Sequence, residues 1–361
     1  MKALQWNYLE AIFTFLFMQN RKPSYLIFFS TNKCEAACRH CFYWAEANHE
    51  MSMLSKEEID LLAKKLGPVM QVTITGGSPE LREDLYDIIR SFATHCDPIN
   101  ITLCSNGNYP EVLYRTVNLL LKDFKELPLT VDISLDGLYE EHDSIRQIDG
   151  LFNKVLRSYS LLNELKKTYP GLRLGCGLVV SGFNKDTAVQ TAKWALENLP
   201  IDNFTPVMVR GNTRENEALN VSPEVFKTIS DEVRGFLKNG NLRGYTHFTR
   251  IINAKDIVQK ELIYRIRKEK NHIVECSAMH ETAVVYPSGT VGLCELREEQ
   301  AGNLKDYDMD LKKIWRSDKA KSLREIVRAE ECFCWHQCFL SAPVIKSPAM
   351  WGKLIRTYLS L

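Results

Sequence analysis

From about residue 24 to residue 212, short β-branched or apolar runs alternate with longer amphipathic stretches. The runs Tyr25–Ser30, Gln71–Thr75, Asn100–Cys104, Thr130–Leu135, Arg173–Val180 and Phe204–Val209 read as strands. Between them, Ser55–Leu66, Leu81–His95, Glu111–Phe124, Leu151–Tyr169 and Lys185–Leu199 read as helices. A parallel return needs a crossover, and helical crossovers are right-handed, so this alternation predicts parallel βαβ units. The fold class is α/β, and both an open sheet and an incomplete barrel fit the pattern.

Polar and glycine-rich residues gather just after the strand ends, at Thr31–Cys41, Gly76–Glu80, Ser105–Asn108 and Asp136–Gly137. In barrels and doubly wound sheets that edge binds ligands, so one site shared by several βα loops is expected there. Val221 to His272 reads as two or more helices opening on Ser222-Pro223-Glu224, an N-cap followed by proline at the first helical position. The period then changes. Thr282–Tyr286 and Thr290–Leu293 flank the turn Pro287-Ser288-Gly289 as a hairpin, and helices are expected near Leu311–Trp315 and Ala320–Ala329. The resulting division is an apolar segment 1–24, an α/β body 25–212, a helical bridge 213–275, a cysteine-rich unit 276–340 and an amphipathic tail 341–361.

Apolar residues at 45%, charged residues at 25%, and 46 Lys+Arg against 45 Asp+Glu describe an ordinary globular chain, too little basic for general nucleic-acid binding. The apolar stretch Tyr8 to Met18 contains Glu10, lacks a small-residue cleavage site and is too short to span a bilayer. A cytoplasmic location is therefore expected. That changes the meaning of the eleven cysteines, because clustered thiols in a reducing compartment serve metals or redox chemistry rather than disulfides. Cys96, Cys104 and Cys176 stand singly in apolar or strand-like surroundings and receive no role.

Cys34, Cys38 and Cys41 place three thiols in one loop directly after the first strand. Structural zinc takes four ligands, usually as two separated pairs, and no fourth cysteine or His pair completes such a site nearby. Three ligands instead leave one iron of an iron–sulfur cluster open to a substrate or cofactor. The C-x-x-x-C-x-x-C spacing after the first strand resembles the signature of the radical S-adenosylmethionine (SAM) superfamily. The resemblance implies a partial (β/α)6 TIM-like barrel with a [4Fe–4S] cluster on these three cysteines. SAM would bind the open iron and be cleaved reductively to a 5′-deoxyadenosyl radical that abstracts hydrogen from substrate. An external electron donor of flavodoxin or ferredoxin type is implied as well. His40 stands where the family commonly has an aromatic residue, and His40 and Phe42 are expected to flank the adenine.

The other loops agree with the resemblance. Gly76-Gly77-Ser78-Pro79-Glu80 looks like the glycine-rich motif that meets the methionine amine of SAM, with Ser78 in the usual acidic position. Taken alone this run reads as an ordinary strand-to-helix turn. Ser105 and Asn106, then Ser134 and Asp136, look like motifs that reach the ribose or the substrate. Arg146 matches an arginine that pairs with the SAM carboxylate, a bidentate task suited to a planar guanidinium.

Cys276 and Cys294, with Gly289 between them, resemble the opening hairpin of SPASM/twitch extensions. Their partners would be Cys332, Cys334 and Cys338, making a small C-terminal α+β unit with one auxiliary [4Fe–4S] cluster. Four thiolates complete a cluster, so one of the five is spare, with Cys332 the first to drop, or His336 serves as a ligand. A four-cysteine zinc site is the alternative that spacing alone permits. Members of this group oxidise, cross-link or rearrange peptides, proteins or small molecules, and the substrate class stays open. A non-catalytic iron–sulfur or zinc scaffold binding a partner protein is the rival function. Four SAM motifs at successive strand ends argue against it. The C-terminal cysteines are expected to belong to a unit that caps the substrate side without touching the Cys34 loop.

Leu4, Trp6, Leu9, Ile12, Phe13, Phe15, Leu16 and Phe17 crowd the first segment, and Trp351, Leu354, Ile355, Tyr358 and Leu359 share the tail with Lys346, Lys353 and Arg356. Such a tail can dock a partner or lie peripherally on an anionic membrane. Packing of both termini against the barrel is the reading that termini tied to a core favour.

Overall fold

The structure is a computed structural model that describes residue 15 and residues 21–242, 244, 249–329 and 334–361. The apolar segment around Leu4 to Phe17, apart from Phe15, lies outside the described residues, as does Cys332.

The predicted strands form β1 Tyr25–Thr31, β2 Gln71–Gly76, β3 Asn100–Ser105, β4 Leu129–Ser134, β5 Leu172–Val180 and β6 Asn203–Met208. Each pairs in parallel with its predecessor, giving a six-stranded partial barrel. The two-residue period of the strands separates two environments. Val72, Ile74, Ile101, Leu103, Leu129, Val131 and Ile133 are fully buried in the apolar core. The alternate positions, among them Thr73, Thr102, Cys104, Thr130 and Asp132, line the barrel lumen and are polar.

The crossover helices are α1 Lys56–Leu66, α2 Leu85–Cys96, α3 Pro110–Asp123, α4 Glu140–Arg146, α5 Leu151–Thr168 and α6 Ala188–Asn198. Ser55 accepts from the Glu58 N–H while the Glu58 side chain accepts from Ser55 N–H, a capping box that fixes the start of α1. The helix expected from Leu81 starts at Leu85, because Pro79–Leu81 form a separate 3-10 turn and the Arg82 guanidinium is held on Asp84.

The cysteine-rich segment continues the barrel sheet. β7 Thr282–Val285 pairs in parallel with β1, and β8 Thr290–Gly292 and β9 Gln300–Asn303 follow antiparallel. The strand order is β6-β5-β4-β3-β2-β1-β7-β8-β9. The predicted hairpin is present, and its docking against β1 is the new element. Helices α7 Pro223–Lys238 and α8 Thr249–Glu269 form the bridge, and α9 Leu311–Trp315 and α10 Asp318–Ala329 follow the hairpin. The tail forms α11 Gln337–Lys346 and α12 Pro348–Ser360, both packed on α8. Trp351, Ile355 and Leu359 remain exposed on α12. Among the described residues, no helix is long and apolar enough to cross a membrane.

Candidate active site

The loop after β1 is seated by two glycines. A Cβ on Gly76 would stand 2.2 Å from the Thr31 carbonyl, and one on Gly77 would stand 2.1 Å from that of Lys33. Only glycine allows this approach, and the Gly77 and Ser78 N–H groups donate to those same carbonyls at 2.8 Å. The turn thus holds the cysteine loop through its donors. A ligand amine needs acceptors, so this seating is compatible with the expected role of the turn. Asn48 clasps the other side: its Oδ1 accepts from Cys34 N–H at 2.9 Å and its Nδ2 donates to the Cys34 carbonyl at 2.7 Å. The Cys41 N–H closes a turn onto the Cys38 carbonyl at 3.1 Å.

A polar network surrounds the loop. Cys34 Sγ lies 3.8 Å from Ser78 Oγ, which accepts from Asn106 Nδ2 at 2.9 Å. Asn106 and Asn108 both donate to Glu35 Oε1 at 2.9 Å, and Ser105 donates to Glu80. Asp136 organises the far side. Its carboxylate accepts from Val179 N–H at 2.8 Å and from Arg146 Nε at 2.5 Å, and His40 Nε2 stands 3.7 Å away. Its own N–H donates to His142 Nδ1 at 3.0 Å. Arg146, expected to meet the SAM carboxylate, is thus engaged by Asp136, with Nη1 3.8 Å from Cys38 Sγ. The short helix α4, not visible in the sequence pattern, carries both His142 and Arg146.

Ser134 sits half-buried at the end of β4, Pro79 is buried at the start of its turn, and Phe42 has the Arg210 guanidinium 5.2 Å from its ring centroid.

Burial opposes charge on Asp136, but Arg146, His40 and His142 hold its pKa below the usual carboxylate range. Burial also pulls His40 and His142 down to about 4, so both rings are neutral at pH 7. The Cys38 thiol is pushed up to about 12 by burial, and Cys34 and Cys41 are raised for the same reason. Metal binding at this loop must therefore displace protons.

Glu35 Oε2, His40 Nδ1, Glu80 Oε2 and His142 Nε2 are buried without a hydrogen-bond partner among the described residues. Buried orphan atoms are rare and cost about 1–3 kcal/mol each. Four in one network, beside three thiols on one loop, fit a bound polar group. Among the described residues no three His, Cys, Asp or Glu side chains converge as a single ion requires.

The second cysteine group lies beside the barrel. Cys276 Sγ accepts from Ala278 N–H at 3.5 Å, and Cys294 Sγ accepts from Leu296 N–H at 3.4 Å. A hydrogen bond from Cys276 draws Cys334 down to about 7, whereas burial lifts Cys338 to about 11. His336 caps α11 by accepting from Cys338 N–H at Nδ1, and its Nε2 pairs with Glu295. Both ring nitrogens are thus hydrogen-bonded.

The stretch 209–215 and Tyr43 link this group to the neighbourhood of the Cys34 loop. Arg210 lies 3.5 Å from Glu295, and Trp335 Nε1 donates to the Val209 carbonyl at 2.9 Å. A few residues on, Arg214 N–H donates to the Cys41 carbonyl and Glu215 N–H to that of Arg39, both at 3.0 Å. The Arg39 guanidinium grips the Glu215 carboxylate in a fork of 2.8–3.0 Å. Tyr286, in the hairpin, stacks on Tyr43 with ring centroids 6.3 Å apart and donates to the Cys294 carbonyl. Glu35, Asn108, Arg210 and Glu295 escaped the sequence reading. Glu35 and Asn108 stand inside loops it had marked, whereas Arg210 and Glu295 carry no local signal.

Residues 28–195 match the radical SAM superfamily, and residues 276–339 match an iron–sulfur cluster-binding domain, SPASM. The chain is 28% identical over 173 residues to Fe-coproporphyrin III synthase of Methanosarcina barkeri, covering 46% of this chain and 39% of that protein. It is 29% identical over 231 residues to GTP 3′,8-cyclase of Clostridium perfringens, covering 58% of this chain and 65% of the cyclase. It therefore spans less than two thirds of either relative. The fold matches native anSMEcpe with bound AdoMet and Kp18Cys peptide at a TM-score of 0.60 and 15% identity, over 94% of this chain and 100% of that one. Its three-cysteine loop on a six-stranded parallel barrel, continued by a cysteine-rich hairpin, makes this chain a member of the radical SAM superfamily with a C-terminal SPASM iron–sulfur domain.

Proposed function

We propose that this radical SAM enzyme holds its catalytic [4Fe–4S] cluster on Cys34, Cys38 and Cys41, and that it oxidises, cross-links or rearranges a residue of a peptide or protein. The orphan polar atoms of Glu35, His40, Glu80 and His142 around that loop carry the reading. When bound, the cluster supplies the electron that cleaves SAM, and an external flavodoxin or ferredoxin supplies it in turn. Asp136 fixes Arg146 beside Cys38, where a guanidinium offsets thiolate charge. Asn106 ties Ser78 to Glu35, so the polar groups of three loops keep one geometry beside the cysteine loop, where SAM would bind.

Cys276, Cys294, Cys334 and Cys338 are proposed to hold one auxiliary [4Fe–4S] cluster. The peptide reading is supported by the shared fold with anSMEcpe, solved with bound AdoMet and a peptide. Anaerobically purified protein is expected to contain about eight irons per chain, four per cubane. Changing Cys34, Cys38 and Cys41 together to Ala should remove half the iron and all formation of 5′-deoxyadenosine. Retained SAM cleavage would refute the first assignment, and zinc in place of the second four irons would refute the auxiliary one.

A further inference from the structure

Below the Cys34 site, the barrel lumen contains a cavity of about 310 Å³. Its wall includes Thr73, Cys104, Asp132 and Asn203, and its floor includes Lys260 of α8 and Cys338 of α11. None of Cys34, Ser78, Glu80, Asp136 or Arg146 lines it. The volume is at the lower end of ligand pockets and holds several waters or one small group.

Asp132 projects into this space from the middle of β4. Its Oδ1 is buried and lacks a hydrogen-bond partner among the described residues, and the same holds for Asn203 Oδ1. The neighbouring strand makes room for both. Gly175 of β5 is the register partner of Asp132. A Cβ there would stand 2.4 Å from Asp132 Oδ1, 2.9 Å from Asn203 Nδ2 and 3.2 Å from Asn203 Oδ1. Gly177, the next residue on that face, leaves 3.4 Å to Asp132 Oδ2. Neither glycine is in the left-handed region, so the missing side chains serve space and not backbone conformation. The Asp132 carboxylate and the Asn203 side-chain amide therefore converge on one niche, with an unpartnered oxygen on each.

The cations nearby are engaged elsewhere. Lys255 pairs with Asp256 and donates to Ser341 Oγ at 3.1 Å, and Lys260 reaches the Phe204 carbonyl at 3.4 Å. Glu281, also on the wall, pairs with Lys346, and Asp256 with Lys255. Asp132 is the lining carboxyl with no cation partner among the described residues, and burial lifts its pKa to about 7, so a bound cation would stabilise its charged form. A lumen meant only to be filled would carry apolar side chains here, as packed barrels do. A buried carboxylate without a cation partner, beside a second unpartnered acceptor, suits a donor-rich cation, whose hydrogen bonds supply what burial removes.

We propose that the niche formed by Asp132, Asn203 and Gly175 binds a protonated amino or guanidino group, carried by a free small amine or by a substrate side chain. The substrate alternative rests on the reaction proposed above, and the site itself does not.

The test uses the full chain and titrates n-butylammonium and n-butylguanidinium by calorimetry, with n-butanol as the neutral control. Saturable binding of the cations, none of butanol, and at least ten-fold weaker binding to Asp132→Asn are expected. Gly175→Ala should lose binding in the same way, with melting curves showing that both variants fold. Equal binding of n-butylammonium to wild type and Asp132→Asn, or binding to neither, would overturn the proposal. Gain of cation binding in Lys260→Met would overturn it too, because Lys260 would then be the native partner of Asp132. A blocked tripeptide with one lysine separates the sources. Competition with n-butylammonium assigns the group to a substrate residue, and absence of competition assigns it to a free amine, the site standing in either case. Formation of 5′-deoxyadenosine without substrate should be unchanged in Asp132→Asn, so failure here and failure of the radical-site assignment are read separately.

Discussion

Arg146 and Asp136 form a pair in which each member makes the other's burial tolerable. The carboxylate is fully buried and the guanidinium nearly so, and they meet at 2.5 Å. Removing one partner of such a pair leaves the other uncompensated, at a cost of about 3–5 kcal/mol. Arg146→Ala is therefore expected to lower the melting temperature as well as to weaken SAM binding. Arg146→Ala with Asp136→Asn should recover most of the stability but not the SAM affinity. If the single variant melts like the wild type, the pair is not structural. Glu80 gives a pH signature. Burial outweighs the bond from Ser105 and lifts its pKa to about 7 from 4.5. Between those values the native chain keeps a proton that the unfolded chain has lost, so stability falls as pH rises through the window and is flat above it. At 1.36 kcal/mol per unit, the upper bound is roughly 3 kcal/mol. Denaturant melts of metal-free protein at pH 5 and pH 8 should show that decline in the wild type and a smaller one in Glu80→Gln.

The stretch from Val209 to Glu215 is the element that joins the two cysteine groups. Gly211 lies at its tightest point, at φ +73°, where a Cβ would come 2.9 Å from Leu296 Cδ2 and 3.2 Å from Phe42 Cβ. Any side chain there presses on the Cys41 loop and the Cys294 loop together, and L-residues rarely adopt that φ. Gly211→Val is expected to lower iron occupancy at both sites, measured as iron per chain and as cluster absorbance. A fall confined to the C-terminal site would show that the two loops are independent. This element also marks where the sequence stops being readable. The strands β1 to β6 were placed to within a residue or two because a two-residue period and β-branched runs are local signals. The three thiols, the Gly76-Gly77 turn and Asp136 were legible for a similar reason, as each is a short spacing at a strand end. The pairing of β7 with β1 joins residues far apart in the chain, and nothing within either run encodes the partner. Helix α4 spans only Glu140–Arg146 between positive-φ residues Tyr139 and Gln147, too short for a period to register. The engagement of Arg146 by Asp136 is likewise a matter of tertiary distance.

At the scale of the whole molecule, the nine-strand sheet places β1 in its interior, with β2 on one side and β7 on the other. During synthesis those two neighbours arrive at very different times. At roughly 5–20 residues per second, the roughly 200 residues between β2 and β7 take about 10–40 s to emerge. For that interval β1, with the sequence YLIFFST and five apolar residues, presents an unpaired ladder edge. Such an edge recruits other strands, from this chain or from another copy. A chain ended at Glu275 keeps that edge open permanently and is expected to collect in the insoluble fraction, where the full chain stays in solution. A soluble, monodisperse product would show that some other segment shields β1. On this order the hairpin that carries Cys294 is expected to act as a late-arriving chaperone for the first strand, so that the yield of folded enzyme follows how quickly the ribosome delivers it.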